Sequence, residues 1–261
     1  MTAPLEVRGL SVAYGPRTVL TGIDLSIGAG TLTVLVGRNG CGKSTLLRAA
    51  ARVVRPSAGR VLLQGRDVAC EDTRWVAQRM SFLPQGPGAP AGLTVEELVA
   101  FGRFPRRRWF GAAGKEDREA VERALARLAL GELRGKPLEL LSGGERQRAW
   151  LAMALAQETE VLLLDEPTSH LDWCHQLELL DLLRRLVRED GRAALLVMHD
   201  LPLACRCADV LAVLQEGRLA AVGAPAEVVD SALLHSAFGV EAEVRADPAT
   251  GRPWPVPRAG R

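Results

Sequence analysis

A chain of 261 residues with 48% hydrophobic content can bury one well-packed domain with a smaller lobe, or at most two compact domains. This composition does not suit a solenoid or a disordered tail. Lysine plus arginine, 33, nearly balances aspartate plus glutamate, 31, so bulk charge gives no reason to expect a nucleic-acid partner.

The start MTAPLEVRGL has neither a basic region nor a long apolar run, so no signal peptide is read. Apolar stretches such as Val161 to Leu164 and Ala193 to Met198 fall far short of the ~20 residues that cross a bilayer, and a cytosolic chain is expected. Cys41, Cys70, Cys174, Cys205 and Cys207 form no zinc-like double pair and are expected to stay reduced. Cys205 and Cys207 are read as small apolar helix residues rather than a metal or redox pair.

In chain order, residues 5–12 and 19–27 read as strands around a turn at Gly15-Pro16, the second broken near Gly22. Residues 31–36 form an apolar strand that runs directly into GRNGCGKST, and Leu46 to Val53 has helical character and stops before Pro56. Val61 to Leu63 and Met80 to Leu83 are further strands, the latter leading into Pro84-Gln85.

Thr94 and Glu97 have capping-box spacing for a helix over 95–102. The segment RFPRRRWFGAAGKED reads as a loop with an exposed basic patch, followed by a helix over about 116–130. With no clear strand between 94 and 160, a mostly helical lobe inserted into an α/β domain is expected.

Val161 to Leu164 and Ala194 to Met198 are short apolar runs without alternation, as expected of parallel strands buried on both faces, with a helix over Leu177 to Glu189 between them. Val210 to Leu214 and Arg218 to Val222 resemble a hairpin, and the chain from Ala226 carries a short helix or two and a proline-rich end.

The sharpest motif is Gly37-Arg38-Asn39-Gly40-Cys41-Gly42-Lys43-Ser44-Thr45, which satisfies G-x-x-x-x-G-K-[ST] between a strand and a helix. Its glycines let consecutive backbone N–H groups curl around phosphate oxygens, with the positive end of the helix aimed at them. Lys43 is expected between the β- and γ-phosphates, and the Ser44 hydroxyl on Mg²⁺. The motif alone fits kinases, GTPases and many ATPases.

Asp165 and Glu166 follow a buried strand, where ligands collect in an open α/β sheet. Adjacent strand residues face opposite ways, so Asp165 is assigned to Mg²⁺ and Glu166 to polarising the attacking water. His199, after the next strand, could orient that water or Glu166, and Gln85 could reach Mg²⁺ or the water. The stretch Leu141-Ser142-Gly143-Gly144-Glu145-Arg146-Gln147-Arg148 is a second anion-binding helix start. Two phosphate-binding elements with one acidic strand end suggest a site shared between two molecules.

Taken together, these residues resemble the ATP-binding subunits of ABC transporters over essentially the whole chain. The resemblance implies a P-loop NTPase core of mixed, largely parallel sheet with flanking helices, plus an antiparallel β subdomain and the inserted helical lobe. It gives an ATP-binding domain over 3–241, a helical subdomain at about 88–160 and a short extension over 242–261. Ligands implied are ATP and Mg²⁺. Tyr14 stands where the family stacks an aromatic on adenine, Ser142 to Glu145 close over nucleotide held by a second, head-to-tail copy, and Ser169 to Asp172 cross that interface. Gln85 matches the loop that couples to the membrane partner, and His199 the switch histidine.

Partners implied are transmembrane permease subunits and a periplasmic or lipid-anchored solute-binding protein, which puts the chain on the cytoplasmic face of the membrane. Arg38, where importers usually carry proline, and His170 depart from the family pattern without removing a catalytic group. Cys41, the run Gly102 to Phe110, GERQRAWLAMALAQ and Leu171 to Glu178 further resemble the ATPases of ferric-siderophore importers. The alternatives are import of vitamin B12, haem or another metal chelate, an exporter, or a non-transport ATPase of the superfamily.

Overall fold

The computed structural model describes residues 3–88, 92–107, 114–169 and 171–258. An antiparallel unit opens the chain: β1 (Leu5–Tyr14) and β2 (Arg17–Ile27) turn at Gly15-Pro16, and β1 also pairs β4 (Ala58–Leu63), which pairs the two-residue β5 (Arg66–Asp67). Contrary to expectation, β2 is not broken at Gly22. The irregularity there is a register shift, with Leu10 opposite Ile23 but Val12 opposite Leu20, so the ladder bulges instead of ending.

The central sheet has the order β10-β9-β3-β8-β7-β6. Its parallel strands are β3 (Leu32–Val36), β6 (Met80–Leu83), β7 (Val161–Asp165), β8 (Ala193–Val197) and β9 (Val210–Gln215), while β10 (Arg218–Gly223) pairs β9 antiparallel at the edge. Every residue of β3, β7 and β8 is buried, which is why their sequences are apolar without alternation.

The pleat sorts these residues between two cores. Leu32, Val34, Val36, Leu162, Leu164 and Leu196 face a helical layer, while Leu35, Leu163 and Leu195 face α1 (Lys43–Ala50) and the antiparallel unit. A short α2 (Thr73–Ala77), which the sequence did not suggest, precedes β6, its N-cap Asp72 accepting from the backbone of Arg74 and Trp75.

Between β6 and β7 lie α3 (Val95–Phe101), α4 (Lys115–Arg127) and α5 (Gly143–Ala156), and among the described residues no named strand occurs there. The Thr94–Glu97 capping box starts α3 as its spacing predicts. After β7 come α6 (Trp173–Glu189), four residues longer at its start than expected, and α7 (Leu201–Cys207) after β8.

The C-terminal part carries α8 (Pro225–Val228), α9 (Ser231–Leu233), a π-helical turn at Leu234–Phe238, and a hairpin of β11 (Ala242–Ala246) and β12 (Pro253–Pro257) where only a proline-rich end was expected. Pro253, Pro255 and Pro257 alternate with Trp254 and Val256, so every second residue of β12 lacks a donor, which a strand with one free edge tolerates. Arg252 ties this hairpin to the carbonyls of Cys205 and Ala208 at the end of α7.

The expected exposed basic patch is corrected at Arg103, which is buried and ion-paired because α3 turns its following loop back onto α4 and α5. Arg108, Trp109, Phe110 and His170 lie outside the described residues.

Candidate active site

Four strand ends meet at one edge of the sheet. From β3 the chain enters the glycine loop, and at Gly37 an added Cβ would stand 2.2 Å from the Leu214 carbonyl oxygen. At Gly42, with φ 111, it would stand 2.7 Å from Leu20 Cδ2, so both space and backbone angle require glycine. Lys43 opens α1 with its side chain almost fully covered, and Nζ donates to the carbonyls of Gly37 at 2.8 Å and Arg38 at 3.0 Å. The ammonium is thus held beneath its own loop, on the line a phosphate would take.

Ser44 Oγ donates to Asp165 Oδ1 at 3.0 Å. Asp165 is fully buried and its Oδ2 has no hydrogen-bond partner. Burial pushes its carboxyl above the usual range; the Ser44 hydrogen bond opposes that and the neighbouring Glu166 charge adds to it. A buried carboxylate oxygen without a partner, beside a hydroxyl, is a donor set that fits a hard divalent cation, which takes oxygen ligands.

Glu166 is held at φ 52, a left-handed conformation unusual for a side chain with a Cβ and common where geometry serves a site. Its Oε2 accepts from Gln85 Nε2 at 2.6 Å, and its Oε1 contacts His199 Nε2. Gln85 follows β6 and His199 follows β8, the two neighbours of β7 in the sheet, so parallel order alone brings them to both sides of Glu166. A cavity of about 400 Å³ is lined by the loop residues Asn39, Gly40, Gly42, Lys43, Ser44 and Thr45 together with Gln85, Glu166, His199 and Val19. Val19 was not anticipated; one valine in a strand carries no sequence signal.

Other expected residues do not share this cavity. Tyr14, 48% exposed, ends β1 at the turn before the strand that carries Val19. Cys41 is half-buried, and burial raises its thiol pKa against the pull of Lys43, so it is no reactive thiolate.

Ser142, Gly143, Gly144 and Glu145 form the N-terminus of α5, where Ser142 Oγ accepts from Glu145 N at 3.2 Å and Glu145 Oε2 from Ser142 N at 2.8 Å. The backbone bond from Ser142 holds the Glu145 carboxyl below its usual range. Asp172 caps α6, accepting from His175 N at 2.9 Å and facing His175 Nδ1 at 2.7 Å. Among the described residues no cluster of three or more His, Cys, Asp or Glu could hold a metal, and Cys205 and Cys207 are buried thiols pushed up to about 12.

A glycine loop between strand and helix, with acidic and histidine side chains at adjacent parallel strand ends, defines the class of P-loop nucleotide hydrolases. The family model described as ABC transporter matches residues 20–169. The probable siderophore transport system ATP-binding protein YusV of Bacillus subtilis is 48% identical over 97% of this chain and 92% of its own length. The ferric enterobactin transport ATP-binding protein FepC of Escherichia coli is 44% identical over 98% and 94%.

Among solved structures, an inward-facing metal-chelate type ABC transporter superposes with TM-score 0.84 at 26% identity, covering 98% of this chain and 97% of that one. The dimeric ABC transporter cassette MJ0796 superposes with TM-score 0.77 at 26% identity, covering 84% and 98%. The chain belongs to the ABC-transporter family and is one of its ATP-binding, ATP-hydrolysing subunits.

Proposed function

We propose that the chain energises import of a ferric siderophore as the ATPase subunit of an importer, working as a head-to-tail dimer under a membrane-embedded permease. The observation that carries the shared-site reading is a separation. Lys43, Ser44, Asp165, Glu166, Gln85 and His199 converge on one cavity, whereas Ser142 to Glu145 form a solvent-facing helix N-terminus that lines none of it. A helix start with free N–H groups binds anions, and a second copy offers the anion.

In this reading Lys43 leaves the Gly37 and Arg38 carbonyls for the β- and γ-phosphates, and Tyr14 supports the adenine. Gly37 and Asn39 to Thr45 enclose the phosphates. Ser44, Asp165 and Gln85 would hold Mg²⁺, whose charge offsets that of the phosphate oxygens. Glu166 takes a proton from water as the water oxygen bonds the γ-phosphorus and the bond to the ADP oxygen breaks. Gln85 and His199 fix the carboxylate for that step. Ser142, Gly143, Gly144, Glu145 and Asp172 act on the nucleotide of the second copy.

We assign 3–241 to one ATP-binding domain with a helical subdomain at about 88–160, and 242–261 to an extension that is no separate domain. No described helix is long and apolar enough to cross a membrane, which suits a peripheral subunit on the cytoplasmic face. The cargo assignment is supported by the siderophore relatives; a permease and a solute-binding protein complete the proposed system.

The test is uptake in vesicles that contain this subunit and the permease encoded beside it, using a panel of ferric siderophores, haem and vitamin B12. ATP-dependent uptake of one ferric siderophore, lost in Lys43→Ala, is expected. Uptake of vitamin B12 or haem alone would reassign the cargo, and no uptake with vigorous ATP hydrolysis would remove the importer reading.

A further inference from the structure

The arginine-rich loop after α3 is bound into the protein. Arg103, 4% exposed, donates to Asp117 Oδ1 at 2.9 Å, to the Ala156 carbonyl in the last turn of α5 at 2.8 Å and to Glu158 Oε2 at 2.8 Å. Arg123 of α4 donates to the other Glu158 oxygen at 2.8 Å. Burial by itself would raise both carboxyls. Hydrogen bonds from Arg103 to Asp117, and from Arg123 and Arg103 to Glu158, outweigh burial and hold both below their usual range.

The knot reaches the central sheet. Arg106 donates to the carbonyls of Gln157 at 3.0 Å, Glu158 at 2.7 Å and Gln78 at 3.2 Å. Gln78 returns a bond to the Pro105 carbonyl at 2.9 Å, and Arg74 of α2 donates to Pro105 at 2.8 Å and Arg107 at 2.6 Å. Buried Thr159 Oγ1 and Ser81 Oγ lie 3.1 Å apart.

The residues so joined are where α5 ends and where β6 and β7 begin. The far ends of the same three elements carry Ser142 to Glu145, Gln85 and the Asp165-Glu166 pair. At ~1.5 Å per residue the 14 residues of α5 span about 21 Å, so a tilt of about 5° at Ala156 displaces Ser142 by roughly 2 Å.

We propose that Arg103 is a positioning residue for ATP-driven dimer closure, clamping the end of α5 so that its N-terminus is presented to the second copy in one orientation. This rests on the head-to-tail reading above. Only a guanidinium can serve the three acceptors at once, because its planar fork points donors at Asp117, Glu158 and the helix end together.

The experiment compares, in a Glu166→Gln background, the parent with Arg103→Lys and with the triple variant Arg103→Met/Asp117→Asn/Glu158→Gln, which removes the cation together with its carboxylates and so leaves no buried unpaired charge. Three readouts are taken: binding of a fluorescent ATP analogue to the monomer, Mg-ATP-dependent dimerisation by sedimentation, and hydrogen exchange of residues 142–147 without nucleotide. Both variants should bind the analogue as the parent does, exchange faster at 142–147, and need about tenfold more protein to dimerise, a shift of about 1.4 kcal/mol.

Folded variants that dimerise at the parent concentration with unchanged exchange at 142–147 overturn the proposal. A parent that does not dimerise with Mg-ATP removes the head-to-tail reading instead, and the exchange measurement then still decides the role of Arg103.

Discussion

Asp165 carries two opposing demands at the scale of one side chain. Its buried, unpartnered Oδ2 makes the carboxylate costly in the free protein, and the same orphan oxygen is what a divalent cation needs. The sign follows from the raised carboxyl: the protonated form is favoured in the fold, so its contribution is present at low pH and is lost as pH rises through the unfolded carboxylate value of about 3.9 toward the folded one. Asp165→Asn should therefore raise the Tm of the nucleotide-free protein at neutral pH by about 2–4 °C, the shift that ~1 kcal/mol gives a chain of this size, and abolish any added stability from Mg²⁺. Calorimetry with and without Mg²⁺ checks both, and a lower Tm in the variant would contradict the account. Glu166 is strained and held by Gln85 and His199, so Glu166→Gln keeps the shape and removes the base. Its ATP turnover should fall by about 10²–10⁴-fold while Mg-ATP holds it as a stable dimer in sedimentation.

The elements add their own wagers. The capping box of α5 satisfies backbone donors in the free chain, yet those are the donors assigned to the phosphate of the second copy. Ser142→Ala should cost about 1 kcal/mol of stability by loss of the cap, and weaken Mg-ATP dimerisation while nucleotide binding to the monomer stays unchanged. A variant that loses monomer binding as well would move Ser142 into the first copy's site. Asp117 and Glu158 titrate in the opposite sense to Asp165. Held below the usual range, they contribute stability above the unfolded carboxylate value, and lose it as pH falls through their lowered folded values. The stability gap between the parent and Arg103→Met should be of order 3 kcal/mol at neutral pH and shrink under acid, read by denaturant titration at each pH.

For the whole molecule, each copy holds one phosphate loop and one signature helix start that do not meet, so mass action links nucleotide to association. The Tm of Glu166→Gln with saturating Mg-ATP should rise with protein concentration, and that of Lys43→Ala should not. Concentration-independent melting of Glu166→Gln would place the complete site within one chain. The two cores on either face of the central sheet make the helical layer and the antiparallel unit lean on the same strands. Movement at one face is therefore felt at the strand ends that carry the acids.

By itself the sequence determined the glycine loop, the acidic pair, the signature helix start, the buried parallel strands and the capping boxes of α3 and α5, because each is a local pattern whose chemistry lies within a few residues. Unbroken apolar runs such as Val161 to Leu164 are legible because both strand faces are buried. Strand order was decided only in three dimensions: Gln85 and His199 flank Glu166 because β6 and β8 are the neighbours of β7, and no spacing along the chain encodes that. The β11–β12 hairpin was hidden by the prolines of β12, which lower strand propensity but are accommodated where alternate residues need no partner. Arg103 shows the same limit most sharply. An arginine beside prolines and further arginines reads as solvated loop, and only the approach of Asp117, Ala156 and Glu158 from two other helices turns its charge inward. Local chemistry is written in short patterns; burial and pairing are set by which distant segments the core brings to the same place.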